Sequence, residues 1–247
     1  IKMPSVGWRT TFFILAIVTS AVFVAAAFIV KNPPAGIKLP APKGAAKKDA
    51  GDLAPRDYTP VEMLKRPSFW KLFIFFILLA AVGSAAISFA KDILKDAGSS
   101  DDLAVTLVGL IAIGNAVGRL ASGWFFDAIG RRKTQYVMSS VAIAAPLVVV
   151  VALVTHSLAI AVIGLFICYI SFGFAPTGST AFISAFYGQK HFPLNLSILN
   201  LQLVLTSFAA PLAGVIKDST GSFVTTFVIL IGFSLVGLVL NLTMRKP

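Results

Sequence analysis

The chain has 247 residues, 57% of them hydrophobic and 13% charged, with a mean hydropathy of +0.89. A soluble domain carries about 25% charged and about 45–50% apolar residues, so this composition excludes a water-soluble globule and a disordered chain alike. The lone Cys168 excludes a disulfide-built scaffold. An integral membrane protein remains.

The net charge of +11 does not point to nucleic acid, because the basic residues sit in short segments between apolar runs and form no groove-reading face. A bilayer core needs roughly 20 apolar residues per helix. In chain order, seven stretches qualify: Thr10–Val30, Phe69–Ala90, Leu103–Phe126, Thr134–Thr155, Leu158 to about Phe182, Leu194–Ile216 and Ser222–Met244. They are continuous and about twice the length of a membrane-barrel strand, which predicts helices. The first is too long for a signal peptide and lacks a small-residue cleavage site.

Between the first two runs, Lys31–Pro55 is rich in Pro, Gly, Ala and Lys and reads as a flexible tether. Thr59-Pro60-Val61-Glu62 then makes a capping box, predicting a short helix near 60–65. Lys and Arg counted by segment set the orientation. Segments 31–68, 127–133, 183–193 and 245–247, with Lys71, hold fifteen; the other face holds five, Lys2, Arg9, Lys91, Lys95 and Lys217. The linker and C-terminus are therefore expected to be cytoplasmic and the lipid bilayer to be the surrounding partner. The expected organisation is a transmembrane helix over 1–30, a cytoplasmic linker over 31–68 and a six-helix bundle over 69–247.

The runs differ in polarity. Thr10–Val30, Thr134–Thr155 and Ser222–Met244 read as lipid-facing. Leu103–Phe126 carries Asn115 and Arg119, and Leu194–Ile216 carries Asn200, Gln202 and Thr206. Leu158–Phe182 has Gly164, Tyr169, Gly173, Pro176 and Gly178, the pattern of an interrupted helix lining a cavity. Two polar helices followed by one apolar helix, repeated, is a three-plus-three pattern suited to a rocking transporter.

Arg119 is the one charge at depth, eight residues before Asp127 and so about 12 Å of helix rise from that end. A charge at a helix centre costs roughly 2.5–3.5 kcal/mol on translocon scales. No Asp or Glu lies at depth in any run to offset it. With Asn115 at i−4 on its face, Arg119 is the candidate contact for an anion, supported by Gln202, Asn200 and Tyr169. The turn Gly123-Trp124-Phe125-Phe126-Asp127-Ala128-Ile129-Gly130-Arg131-Arg132-Lys133 has the pattern G-x-x-x-D-x-x-G-R-R/K. Gly123 permits close helix contact, Gly130 a tight turn, and Asp127 beside Arg131 and Arg132 can lock one face and release it. This is the candidate gating motif.

That turn resembles the loop signature of the major facilitator superfamily, in its second-half copy. The longer string Asn115-x-x-Gly118-Arg119-x-x-x-Gly123-Trp124-x-x-Asp127-x-x-Gly130-Arg131 resembles the oxalate/formate antiporter family within it. Asp57-Tyr58-Thr59-Pro60, Phe69-Trp70, Tyr187-Gly188-Gln189-Lys190, Ala210–Gly214 and Asp218–Ser222 fit the same family. The resemblance implies an all-α integral membrane fold, with a six-helix C-terminal bundle preceded by one further transmembrane helix and the linker. The chain would be helices six to twelve of a twelve-helix transporter in the inner membrane, its partner the missing N-terminal half of the same transporter, which accounts for the opening at Ile1. In that family an Arg in the eighth helix and a Lys in the eleventh are thought to pair with the carboxylates of oxalate. Arg119 matches the first; Leu201-Gln202-Leu203 stands where the second would be. A small monocarboxylate is therefore the expected substrate, with oxalate/formate-type dicarboxylate exchange the alternative, and antiport and proton symport both remain open. A seven-helix receptor, an enzyme and a channel are the rival classes. They lack, respectively, this polarity pattern, a His, Cys or carboxylate cluster at depth, and a filter. No metal or cofactor is expected.

Overall fold

Apolar helices of this length satisfy every backbone group internally, which hydrocarbon demands, and the described residues form helices throughout with no strand. A computed structural model describes residues 7–29 and 56–244. The Lys31–Pro55 tether, Arg245 and Lys246 lie outside the described residues. The helices are α1 (Trp8–Ile29), α2 (Pro60–Leu64), α3 (Pro67–Asp96), α4 (Asp101–Ile111), α5 (Ile113–Thr155), α6 (Leu158–Tyr187), α7 (Phe192–Asn200), α8 (Gln202–Thr206), α9 (Ala209–Thr220) and α10 (Phe223–Leu242).

The chain divides into two units, Ile1–Lys43 and Gly44–Pro247. The first contains α1, whose 22 residues rise about 33 Å, enough to cross a bilayer. The second contains α2–α10. Among the described residues six helices are long and apolar enough to cross, and one of them, Asp101–Thr155, is 55 residues long. Straight, it would reach about 80 Å, more than twice the hydrocarbon thickness. It folds back at Gly130, whose φ of 79° lies in the left-handed region that glycine adopts at no steric cost. The neighbours along α6 show the reversal: Gly114 and Gly118 lie against Phe166 and Ile170, whereas Val149 meets Gly164 and Met138 meets Gly178. One arm of α5 therefore runs parallel to α6 and the other antiparallel. The 55-residue stretch is therefore two apolar segments joined at Gly130, each long enough to cross a bilayer.

Small residues draw the helices together. A Cβ on Gly118 would be driven into the Ile170 carbonyl, and one on Gly173 into the Asn115 carbonyl and to within 3.1 Å of the Arg119 amide nitrogen. Such backbone-to-backbone approach is the way helices gain packing contact in lipid, where no hydrophobic force separates them from the solvent. This corrects one expectation: α6 is not interrupted. It runs unbroken from Leu158 to Tyr187 through Pro176, because its glycines serve close crossings and not breaks. At Ala112, between α4 and α5, and at Leu201 and Ser207–Phe208 along α7–α9 the backbone stays right-handed helical, so these segments run on as continuous rods; α3 bends at Phe89.

At the Gly130 end of the bundle, α2 begins with the capping box: the Glu62 N–H donates to Thr59 Oγ1 at 3.3 Å, and the Thr59 N–H to Glu62 Oε2 at 2.9 Å. Pro67 starts α3 at a position where a missing N–H costs nothing, and the Trp70 indole donates to the Leu64 carbonyl at 2.9 Å. An aromatic cluster of Phe69, Phe76, Phe182, Phe186 and Tyr187 fills the core at this end. α10 carries a polar residue near its own end, Asn241, buried and donating to Ser139 of α5 at 2.9 Å. That face of α10 therefore packs on protein, not lipid.

Candidate functional site

Arg119 stands on the first arm of α5, its backbone clamped against Gly173 of α6 and its side chain exposed. Its Nε donates to Asn115 Oδ1 at 3.1 Å, one helical turn back, as the i−4 spacing requires. That bond engages Nε with a side chain of the same helix. Among the described residues the ion pairs are Arg56–Glu62, Lys91–Asp101 and Lys95–Asp101, so no carboxylate pairs with Arg119.

The other binding candidates are distributed differently. Tyr169 is buried on α6 at 4% exposure and packs against Gly114, one residue before Asn115. Gln202 is 1% exposed; its Oε1 accepts from Thr206 Oγ1 at 3.3 Å, and α8 packs on α3. Asn200, two residues earlier, is exposed. The structure thus joins Arg119 to Asn115 directly and sets Tyr169 behind them, while no hydrogen bond joins Gln202 to Arg119.

The turn residues also separate into roles. Gly123 has room: a Cβ there would meet Thr177 Cγ2 at 3.7 Å, ordinary contact. The tight crossing belongs to Gly118 and Gly173 instead. Asp127 is exposed and makes no ion pair among the described residues. Arg131 lies over the Phe186 ring at 4.8 Å, and Arg132 is exposed. Next to Thr177, an open cleft of about 520 Å³ is lined by Pro176, Thr177, Thr180, Ala181, Ser184, Gln189 and Phe192. It carries hydroxyls at helical spacing along α6.

One association has no signal in the sequence. Asp57, just before α2, accepts from the backbone N–H groups of Lys190 at 3.0 Å and Gln189 at 2.9 Å. These bonds, that from Lys190 foremost, hold its carboxyl below its ordinary pKa. The Tyr58 N–H donates to the Tyr187 carbonyl at 3.0 Å, and Asn195 Nδ2 donates to the Tyr58 carbonyl at 3.0 Å. Gly188, at φ +80°, lets Asp57 lie against the turn where any Cβ would collide with it. Two motifs more than a hundred residues apart therefore form one clasp.

The family model of the Major Facilitator Superfamily matches residues 3–200. The chain belongs to the Major Facilitator Superfamily. It is also similar to the uncharacterized MFS-type transporter YhjX of Escherichia coli (strain K12), with 29% identity over 203 residues that cover 81% of this chain and 47% of that protein. The chain spans about half the length of the curated relative it matches. Membership in the Major Facilitator Superfamily and the six long apolar helices among the described residues make this a multi-pass membrane protein, and the homology points to a transporter rather than an enzyme.

Proposed function

We propose that the chain is part of a secondary active transporter that moves small monocarboxylates across the inner membrane by alternating access. It works with a further helical half of the same transporter, and its linker and C-terminus face the cytoplasm. The observation that carries this reading is Arg119, a cation within an apolar pass, oriented by Asn115 at 3.1 Å and paired with no carboxylate among the described residues. The guanidinium is exposed on an apolar helix with no acidic side chain to pair with, and an anionic substrate supplies the missing charge when it arrives. With Nε held by Asn115, the two terminal nitrogens present a fork to one carboxylate, the geometry in which Arg binds most strongly. Tyr169 backs the site, and Asn200, exposed on α7, is the neutral donor of that segment, whereas Gln202 is buried on Thr206.

Small monocarboxylates such as formate, lactate or pyruvate should outcompete oxalate, because neutral donors offset only part of the desolvation of a second charge. A competition assay with labelled monocarboxylate checks this; oxalate displacing every monocarboxylate tested would favour oxalate/formate-type exchange. Leu203→Lys should shift preference toward oxalate. Leu203 is 43% exposed whereas Gln202 is 1% exposed, so Lys at 203 has room for its charge and Lys at 202 would be buried against α3.

In the same reading, Gly123, Asp127, Gly130, Arg131 and Arg132 form the gate. Asp127 belongs to a population equilibrium and not to the binding site, so Asp127→Ala should lower turnover about tenfold while changing substrate affinity little. Parallel binding and transport assays on one preparation decide it; equal losses in both would contradict gating.

A further inference from the structure

We propose that a second cleft, beside the Gly130 turn, is a site for one anionic phospholipid, its phosphate held by Arg132 and Lys133 and an acyl chain laid along the outer face of the second arm of α5. The cleft holds about 410 Å³ and is lined by Ile129, Arg132, Lys133 and Tyr136: two cations, a phenol and an aliphatic wall, with no carboxylate. Arg132 and Lys133 are both exposed, and neither is among the cations paired with Asp or Glu in the described residues. Arg131 differs from both, turning inward over the Phe186 ring.

The helix beyond Lys133 sets the ligand class. Ser140, Ala144, Leu147, Val151 and Val154 continue from Lys133 at helical spacing, and all are exposed. The exposures of Leu147, Val151 and Val154 are 44%, 48% and 64%. The opposite face, including Met138, Ala142, Ala145 and Val149, is buried in the bundle. From Lys133 to Val154 the helix rises about 32 Å, close to the thickness of the hydrocarbon core. The paired cations therefore stand at the head of a lipid-facing apolar stripe, at the depth of the phosphate layer, with Tyr136 at the interfacial position where amphipathic rings settle. An inorganic anion would use the cations and leave the stripe unused; a phospholipid uses both. A zwitterionic headgroup brings an ammonium that the two cations repel, which selects a net-negative headgroup.

The site is read out by lipid retention and not by transport, so its failure is separable from failure of the carboxylate reading, although Arg132 also belongs to the turn motif. Native mass spectrometry of the purified protein titrated with phosphatidylglycerol or phosphatidylcholine tests it. Wild type should retain one phosphatidylglycerol more tightly than any phosphatidylcholine, and the double variant Arg132→Gln/Lys133→Gln should weaken that retention about tenfold. Arg132→Lys, which keeps the charge, should retain it. Lys190→Gln, which removes an exposed cation outside the cleft, should also retain it. Glycerol phosphate should not displace the lipid. Equal retention of both lipids, equal loss on Lys190→Gln, or displacement by glycerol phosphate would overturn the proposal, leaving these residues as general positive-charge anchors or a simple anion site.

Discussion

Arg119→Ala should abolish uptake of labelled monocarboxylate into proteoliposomes while the protein reaches the membrane in wild-type amount. The guanidinium offers a substrate carboxylate two charge-assisted hydrogen bonds, each worth about 1.5–3 kcal/mol, so losing both corresponds to a drop of about 100-fold or more. Expression should survive because Arg119 is exposed and its bonding partner among the described residues is Asn115 on its own helix; nothing buried is left unpaired. Arg119→Lys should fall between, keeping a charge but not the fork. Asn115→Ala should raise KM about tenfold by freeing Nε and loosening the plane of the guanidinium. Uptake by Arg119→Ala at the wild-type rate would make Arg119 a residue that merely reaches to the membrane interface.

The passes were legible because hydropathy over 20 residues is a one-dimensional property: each apolar run had to become a helix, and Gly130 with its charged neighbours marked the reversal inside Asp101–Thr155. The capping box at Thr59 and Glu62 was legible for the same reason, since its partners are three residues apart. What failed was inference about faces. Gly164, Gly173, Pro176 and Gly178 read as interruptions of α6, yet the helix is continuous; composition does not say whether a glycine breaks a helix or admits a neighbour. Gln202 read as a side chain turned toward a cavity and is buried on Thr206. In lipid, polar and apolar surroundings no longer separate by water, and a neutral amide can sit on either face.

The Asp57 clasp was hidden for a different reason. An acid before α2 and a glycine turn after α6 have no spacing relation, and only the fold brings Asp57 to the Gln189 and Lys190 amides. Asn241 carries no signal of its own because one amide near the end of an apolar run reads as interfacial, whereas the structure buries it against Ser139. The glycines that seat Arg119 do carry a sequence signal: Gly114-x-x-x-Gly118 is the small-residue spacing that marks helix contact in membranes, whereas Gly123 lies outside that close contact.

Gly118→Ala and Gly173→Ala should each leave little folded protein, and Gly123→Ala nearly all of it. At Gly118 the added methyl points into the Ile170 carbonyl, and at Gly173 into the Asn115 carbonyl. Both obstacles are helix backbone, which cannot turn aside as a side chain can, so α5 and α6 must separate along their whole contact. Overpacking of a core ordinarily costs about 1–3 kcal/mol and occasionally more; here about 3 kcal/mol or more is expected, a large share of the stability of any domain. At Gly123 the nearest atom is a Thr177 methyl at 3.7 Å, and the helix gains up to about 1 kcal/mol from replacing glycine. Gly232, with nothing within 4 Å, should behave like Gly123. Thermal unfolding and the monodisperse fraction in detergent, measured on all four variants, separate the two groups. If Gly118→Ala unfolds no earlier than Gly123→Ala, the close crossing is not what holds α5 on α6. Any Gly173→Ala protein that does fold should transport poorly, because the crossing that excludes the methyl also sets the Arg119 amide 3.1 Å from it. A shift of about 1 Å there moves the charge off the substrate's path.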